Sequence, residues 1–318
     1  METVRRAVVD VGTNSIKLLV ADVSGGEVMP VLEESKQTRL GKGFYESHRL
    51  QPEAIARTAE AVARFATIAK EHQAQNIRVI ATSAARDAVN GAELVRAIRA
   101  SSGSAVEIIS GEQEADWVFR GVTSDPGLGE GSLLLLDVGG GSSEFIVGLE
   151  NKKLFAGSFP LGAVRLVEQV PHSDPPTALE LSASRARLKE LLTKEIEPKV
   201  APALRRASEG ARGLPAKLVG TGGTATILAR MEARLEDYHR EKIEATRLSF
   251  ERLQWHVRRL WKMPLEERKQ IVGLPKNRAD IILTGALIYE EVMRHFQFSE
   301  LHVSTRGLRF AAVMESPV

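Results

Sequence analysis

The strongest regularity along the chain is an apolar run, a tight polar turn and a second apolar run, and it occurs twice. Residues 7–20 read Ala-Val-Val-Asp10-Val-Gly12-Thr13-Asn14-Ser15-Ile-Lys-Leu-Leu-Val. Residues 134–147 read Leu-Leu-Leu-Asp137-Val-Gly139-Gly140-Gly141-Ser142-Ser-Glu144-Phe-Ile-Val. Apolar runs on both sides of a Gly/Ser turn predict β-hairpins. Each predicted hairpin continues into a further strand, after Ser24-Gly25-Gly26 in the first copy and after Glu150-Asn151-Lys152 in the second. Glycine and serine at the turns are ordinary turn chemistry. A turn does not call for the aspartate that ends the first apolar run in both copies. Two such copies, far apart in the chain, predict two domains of one topology that face each other through these loops.

The remaining pattern alternates between helical and strand periods. An Ala-rich helix is expected over 53–72, opened by Pro52. A strand follows at Ile77–Ala81, a helix at Glu93–Ala100 and a strand at Val106–Ile109. Glu112–Gly121 reads as a helix ended by its glycine. The breaker cluster Thr123–Gly131 is the expected domain boundary. Beyond it, a helix is expected over about 177–197 after Asp174-Pro175-Pro176. A strand at Lys217–Val219, a loop at Gly220–Thr224 and a helix from Ala225 come next. Helices at about 249–262 and 279–296, a strand at Leu301–Ser304 and a final helix complete the pattern. The alternation indicates an α/β fold with mixed sheets.

Composition narrows the chemistry. The 318 residues suit two domains, and 43% hydrophobic residues are enough to fill two cores. Only 5% are aromatic, which argues against stacking platforms for nucleic acid. There is no cysteine, so thiolate catalysis and cysteine-held zinc are excluded, and a reducing compartment fits. No leader pattern opens the chain, and no apolar run reaches the roughly 18 residues of a membrane span. A soluble, cytoplasmic protein with no membrane partner is expected. The net charge of +2 is unevenly spread: from residue 201 onward 20 Lys+Arg face 14 Asp+Glu, a balance of +6. That basic half suits a polyanion, although most such charges serve only to solvate a helical surface.

The loops Gly12–Ser15, Gly139–Ser142 and Gly220–Thr224 each follow an apolar strand, at the strand end where α/β folds bind ligands. Backbone N–H groups in such turns bind phosphate oxygens. Asp10 and Asp137 at the loop mouths suit Mg²⁺ (or Mn²⁺), which takes a carboxylate or two plus substrate oxygens and water. Arg86 suits bidentate pairing with phosphate. Glu112, Glu114 and Glu144 are the candidate bases. Gly-x4-Gly-Lys-Ser/Thr is missing, so this is not a P-loop enzyme. Gly220–Ala225 fits a dinucleotide fingerprint, but no acidic residue ends a second strand about 20 residues on. The seven histidines form no His-x-x-x-His pair.

Asp10–Ser15 and Asp137–Glu144 together resemble the exopolyphosphatase/guanosine pentaphosphate phosphohydrolase (Ppx/GppA) family. Arg39–Gly43, Ala81–Ala88, Ile108–Ala115, Gly220–Thr224, Arg278–Asp280 and Val303–Arg309 extend the likeness over nearly the whole chain, in the family's order. The resemblance implies two actin-like domains (ribonuclease H-like, the ASKHA superfold) with the active site in the interdomain cleft. Residues 1–126 with about 300–318 would form one domain and 127–299 the other. It implies Mg²⁺-dependent attack of water on a terminal phosphoanhydride. Glu114 matches the family's catalytic glutamate, which selects it over Glu112. Glu144 matches a second functional carboxylate that orients water or metal, and Asp10 and Asp137 match acidic positions near the metal. Gly12, Thr13, Asn14, Ser15, Arg86, Gly139, Gly140, Gly141 and Ser142 match phosphate contacts, with Gly222 and Gly223 in the third loop.

The resemblance further implies a homodimer acting on polyphosphate or a guanosine polyphosphate, with no nucleic acid partner. Exopolyphosphatase is the leading expectation. Guanosine pentaphosphate hydrolysis, a non-catalytic nucleotide or alarmone sensor, and a kinase of the same superfold are the alternatives. Glu114 and Glu144 argue against the sensor, which needs no base. Gln113 stands where the family has a first glutamate, and Phe310-Ala311 where it has an acidic residue and glycine; the latter is expected to concern packing. With no room for further C-terminal domains, short polyphosphates are the expected substrates.

Overall fold

Both repeated segments fold as hairpins. In the computed structural model, which describes residues 2–211 and 215–315, Val4–Val11 (β1) and Ser15–Ser24 (β2) pair antiparallel, and Glu27–Gln37 (β3) adds to β2. Asn76–Ala81 (β4) lies parallel to β1 and Val106–Ile108 (β5) parallel to β4, in the order β3-β2-β1-β4-β5. The second sheet is built from Ser132–Val138 (β6), Ser143–Leu149 (β7), Lys152–Phe159 (β8), Lys217–Thr221 (β9), Arg247–Ser249 (β10) and Glu300–Val303 (β11). Its order, β10-β11-β9-β6-β7-β8, repeats the first sheet's hairpin-plus-parallel-strand plan with one added edge strand. The duplication extends to a defect. A register shift falls between Val20 and Ala21 in β2 and between Val147 and Gly148 in β7, the same place in each repeat. A bulge adds local twist to a strand, so this curvature belongs to the shared unit.

Two compact units result. One holds the chain to Ser124 together with the stretch from Gly307, and the other holds Asp125–Arg306. Residues 316–318, which the sequence reading assigned to the first domain, lie outside the described residues.

In the first unit, helix Pro52–Glu71 buries Ile55, Ala59, Val62 and Phe65. Those three- and four-residue steps form one apolar stripe. It covers the β1–β2 face, whose Val9, Val11, Ile16 and Leu18 are almost wholly buried. Helix Gly111–Thr123 does not stop at Gly121, where a terminating glycine was expected. Gly121 lies inside the helix because a Cβ there would strike the backbone of Gly307. The glycine therefore serves close packing: helix Leu308–Met314 lies against helix Gly111–Thr123, β1 and β2. Arg309 fastens it by donating to Leu18 O at 2.8 Å and to Glu33 at 3.1 Å. Its Phe310 and Ala311 are buried.

In the second unit, helix Ile282–Phe296 is buried at every residue from Ile282 to Met293 and forms the unit's centre. It starts three residues later than the pattern predicts, after the tight turn Lys276–Arg278. The helix expected at about 177–197 runs much further. Ala178–Leu191 passes through a π-helical turn, Leu192–Ile196, into Glu197–Gly210. The path runs on through Pro198 and Pro202. Pro198 sits in the first turn of the last segment, where its missing N–H costs little, and the wider π turn immediately precedes it.

Candidate active site

Two turns, one per unit, carry most of the expected site residues. In the first unit, Gly12 N donates to Ser15 O at 3.1 Å and closes the β1–β2 turn. The segment after β3 folds over it: Thr38 N and Arg39 N both donate to Asn14 O, at 3.1 and 2.9 Å, and Gly41 N donates to Thr13 O at 2.7 Å. Gly41 permits that approach, because a Cβ would run into the Thr13 side chain. Thr13, Asn14 and Ser15 are consequently buried, 4%, 7% and 5% exposed. Gln37 Nε2 donates to Asn14 Oδ1 at 3.2 Å, while Asn14 Nδ2 and Ser15 Oγ have no hydrogen-bond partner among the described residues.

Asp10, at the end of β1, sits opposite Lys17 on β2. Burial pushes its carboxyl pKa up, and the charges of Lys17 and Arg309 pull it back only in part. Beside this turn, Thr82 N donates to Val11 O at 3.2 Å, which places the short helical turn Ser83–Asp87 next to Gly12. Its Arg86 donates from Nη1 to Glu114 Oε2 at 2.9 Å and to Ile109 O at 3.2 Å. Glu114 is buried in the first turn of helix Gly111–Thr123, which Ser110 caps through its side chain. Glu112, two residues earlier, is exposed. The expected phosphate-binding arginine and the expected base are thus bonded to each other.

In the second unit, Gly139 N donates to Ser142 O at 3.0 Å, the same closing bond as in the first. The carbonyls of Gly139 and Gly140 accept from Ala163 N, Val164 N and Arg165 N. Arg165 Nε adds a 2.7 Å bond to Gly141 O. This turn is therefore locked through its carbonyl groups to helix Ala163–Gln169. Asp137 and Glu144 are directly opposed across β6 and β7. Side chains of such a pair share a face of the sheet, with Cβ atoms about 5 Å apart. Glu144 is 2% exposed and accepts from Ser158 Oγ on β8 at 2.8 Å.

The expected loop Gly220–Thr224 is no loop. β9 continues through Thr221, and helix Gly222–Glu232 begins at the next residue. Gly222 makes the direct junction possible. It has φ +81°, and a Cβ would lie on the Asp137 carboxylate. Gly223 follows in the same first turn, and Thr224 Oγ1 donates to Val138 O at 3.1 Å. Below, Tyr289 OH donates to Leu136 O at 2.9 Å; burial first, and then the Asp137 charge, push its pKa well above the ordinary range. The tyrosine therefore stays protonated and serves as a fixed donor beneath the strand ends.

Residues 19–316 match the Ppx/GppA phosphatase family. The chain belongs to that family. Exopolyphosphatase 2 of Mycobacterium tuberculosis is 36% identical over 308 residues, covering 93% of this chain and 92% of its own length. Exopolyphosphatase 1 of the same organism is 28% identical over 98% of this chain and 87% of its own. Among solved structures, an exopolyphosphatase from Cytophaga hutchinsonii superposes with a TM-score of 0.83 at 28% identity, covering 96% of both chains. The Aquifex aeolicus Ppx/GppA family member superposes at 0.77 and 28% identity, covering 98% of this chain and 97% of that one. These Ppx/GppA neighbours share the two-domain actin-like fold, with two mixed sheets flanked by helices.

Several residues at the Ppx/GppA turns escaped the sequence reading. Gln37, Thr38 and Ser83 touch or flank the first turn, and Ser158 and Arg165 hold the second. Thr38 directly precedes the family segment Arg39–Gly43, and Ser83 lies within Ala81–Ala88, so both were within reach of the motifs. Ser158 required knowing the register of the third strand. Among the described residues, no three His, Asp or Glu side chains gather into a metal cluster. No helix there is long and apolar enough to cross a membrane.

Proposed function

We propose that this chain is an exopolyphosphatase, removing the terminal phosphate of inorganic polyphosphate by attack of water on its phosphoanhydride. The observation that carries the reading is the buried Glu114, fixed by Arg86 beside a turn of the phosphate-binding type. The M. tuberculosis relative supports it with likeness along almost its whole length. Phosphoryl transfer asks mainly for positioning and charge neutralisation. Gly12–Ser15 with Arg86, and Gly139–Ser142 with Gly222 and Gly223, are the proposed phosphate contacts. Glu114 takes a proton from the attacking water as its oxygen bonds to the terminal phosphorus. The bridging P–O bond breaks, and orthophosphate leaves with the shortened chain as leaving group. Arg86 holds the Glu114 carboxylate in one place and offers its remaining N–H groups to phosphate oxygen.

A divalent cation, Mg²⁺ or Mn²⁺, fits the second unit best. Two carboxylates directly opposed on neighbouring strands repel, a cation between them relieves this, and Asp137 and Glu144 form such a pair. Mg²⁺ commonly uses one or two carboxylates together with substrate oxygens, and this pair supplies two. Asp10, opposite Lys17, is the weaker candidate ligand. When bound, the ion would neutralise charge developing on the leaving oxygens. The absence of cysteine fits a cytoplasmic setting. The homodimer carried by the resemblance is checked by sedimentation velocity.

The test is orthophosphate release from polyphosphates of defined length, guanosine pentaphosphate and ATP, with Mg²⁺. The parent should release phosphate from polyphosphate, and Glu114→Gln should lose about 10²–10⁴-fold of that rate. Full activity in the variant overturns the base assignment. Preference for guanosine pentaphosphate overturns the substrate.

A further inference from the structure

The first unit's turn carries and is bordered by polar groups that have no hydrogen-bond partner among the described residues. Buried side-chain donors and acceptors in folded proteins nearly always have partners, and each exception requires a reason. Four exceptions gather here. Asn14 Nδ2 and Ser15 Oγ belong to the turn itself, and Thr38 Oγ1 and Ser83 Oγ belong to the segments that border it. Thr38 and Ser83 are each only 2% exposed and have no hydrogen-bond partner among the described residues.

The backbone ties both to the turn. Thr38 donates its own N–H to Asn14 O, and its predecessor Gln37 is the register partner of Ser15 and the donor to Asn14 Oδ1. Ser83 follows Thr82, whose N–H is bound to Val11 O one residue before Gly12. Two separate chain segments therefore converge on the turn, and each of the two, like the turn itself, brings a polar side-chain atom without a partner among the described residues. Arg86, three residues after Ser83, supplies the nearby positive charge. Hydroxyl and amide donors beside a guanidinium suit a tetrahedral oxyanion, whose oxygens each accept more than one hydrogen bond.

We propose that the Thr38 and Ser83 hydroxyls are phosphate contacts, completing with Asn14 and Ser15 a side-chain cradle for one phosphate group of the substrate. The proposal rests on the reading of Gly12–Ser15 as a phosphate turn. It adds that this turn grips through side chains drawn from three segments, beyond its own backbone. A bound phosphate group would satisfy the buried atoms that the chain alone does not.

Thr38→Val and Ser83→Ala each remove one hydroxyl and little else. Binding of inorganic phosphate and of tripolyphosphate is measured by titration calorimetry, beside thermal unfolding without ligand. Each variant should weaken anion binding about five- to tenfold, as expected for one hydrogen bond to a charged group. Ligand-free Tm should stay level or rise, because a buried hydroxyl without a partner stabilises nothing. Unchanged affinity in both variants overturns the proposal. A clear fall in Tm with unchanged affinity does so as well, by showing that the hydroxyls serve the fold. Calorimetry needs no turnover, so a parent that binds phosphate through these hydroxyls but cleaves no polyphosphate would sink the exopolyphosphatase reading and leave the cradle standing.

Discussion

The two turns share a backbone and differ in nearly everything built on it. Both close with a glycine N–H on a serine carbonyl, at 3.1 and 3.0 Å, and both follow an aspartate at a strand end. In the first, the overlying 37–41 segment covers the turn, and polar side chains in and beside it have no partner among the described residues. In the second, the side chains have shrunk to glycine, and the carbonyls are bound by the following helix. The residue opposite the aspartate differs most. Lys17 faces Asp10, whereas Glu144 faces Asp137. One copy thus sets a cationic residue opposite its carboxylate, and the other presents two carboxylates together. The repeats share their geometry and differ in charge, which is the ground for proposing that the first turn takes the phosphate and the second the cation.

The sharpest way to break that contrast is to titrate the metal. Mg²⁺ at a hundredfold over its Kd should stabilise the parent by about 2.7 kcal/mol, read as a rise in Tm. Asp137→Asn or Glu144→Gln should abolish the rise. If the rise survives in both and disappears only in Asp10→Asn, the assignment of the cation to the second unit is wrong. Gly222→Ala comes next. Its left-handed φ should cost about 1–2 kcal/mol in urea unfolding, and the new methyl, pressing on Asp137, should also weaken the Mg²⁺ response. A loss of stability with an unaltered Mg²⁺ response would separate the glycine from the carboxylate.

Lys17→Glu makes the first turn imitate the second. Without metal it should cost about 0.2–1 kcal/mol, the range for a like-charge cross-strand pair, again by urea unfolding. A neutral or stabilising result would show that Lys17 does not balance Asp10. The smallest effect concerns helix starts. Helix Pro52–Glu71 in the first unit opens with no side-chain cap, whereas helix Ala178–Leu191 in the second opens on a Thr177–Glu180 capping box. Backbone N–H groups of Thr177 and Ser173 hold the Glu180 carboxyl at about 2, against 4.5 when free. The group is depressed on folding, so its stabilisation is complete above pH 4.5 and is lost as pH falls toward 2. The stability gap between parent and Glu180→Gln should be widest above pH 4.5 and close near pH 2.

Much of this was legible in the sequence because the repeat is local. Asp10 to Ser15 and Asp137 to Ser142 each lie within one hairpin, and a hairpin's pattern is written in consecutive residues. What depends on distant contact was not legible. Gly121 looked like a helix end because its neighbour, Gly307, is far away in sequence. Gly220–Thr224 looked like a loop because nothing local reveals that Gly222 must clear the Asp137 carboxylate. The helix expected to end near residue 197 continues through a π turn to Gly210, which no local pattern announces. The candidate base could be named from its motif, but its bond to Arg86 joins residues 28 positions apart and had no local signal.

Helix Leu308–Met314 completes the unit to which the first residues of the chain belong. On a ribosome adding roughly 5–20 residues each second, the first sheet therefore emerges well before the helix that covers it. The intervening Asp125–Arg306 is a whole unit, so it can reach its final form while its predecessor still waits. During that interval the face of helix Gly111–Thr123 that later meets helix Leu308–Met314 lacks that cover, so the first unit is finished last although it is begun first.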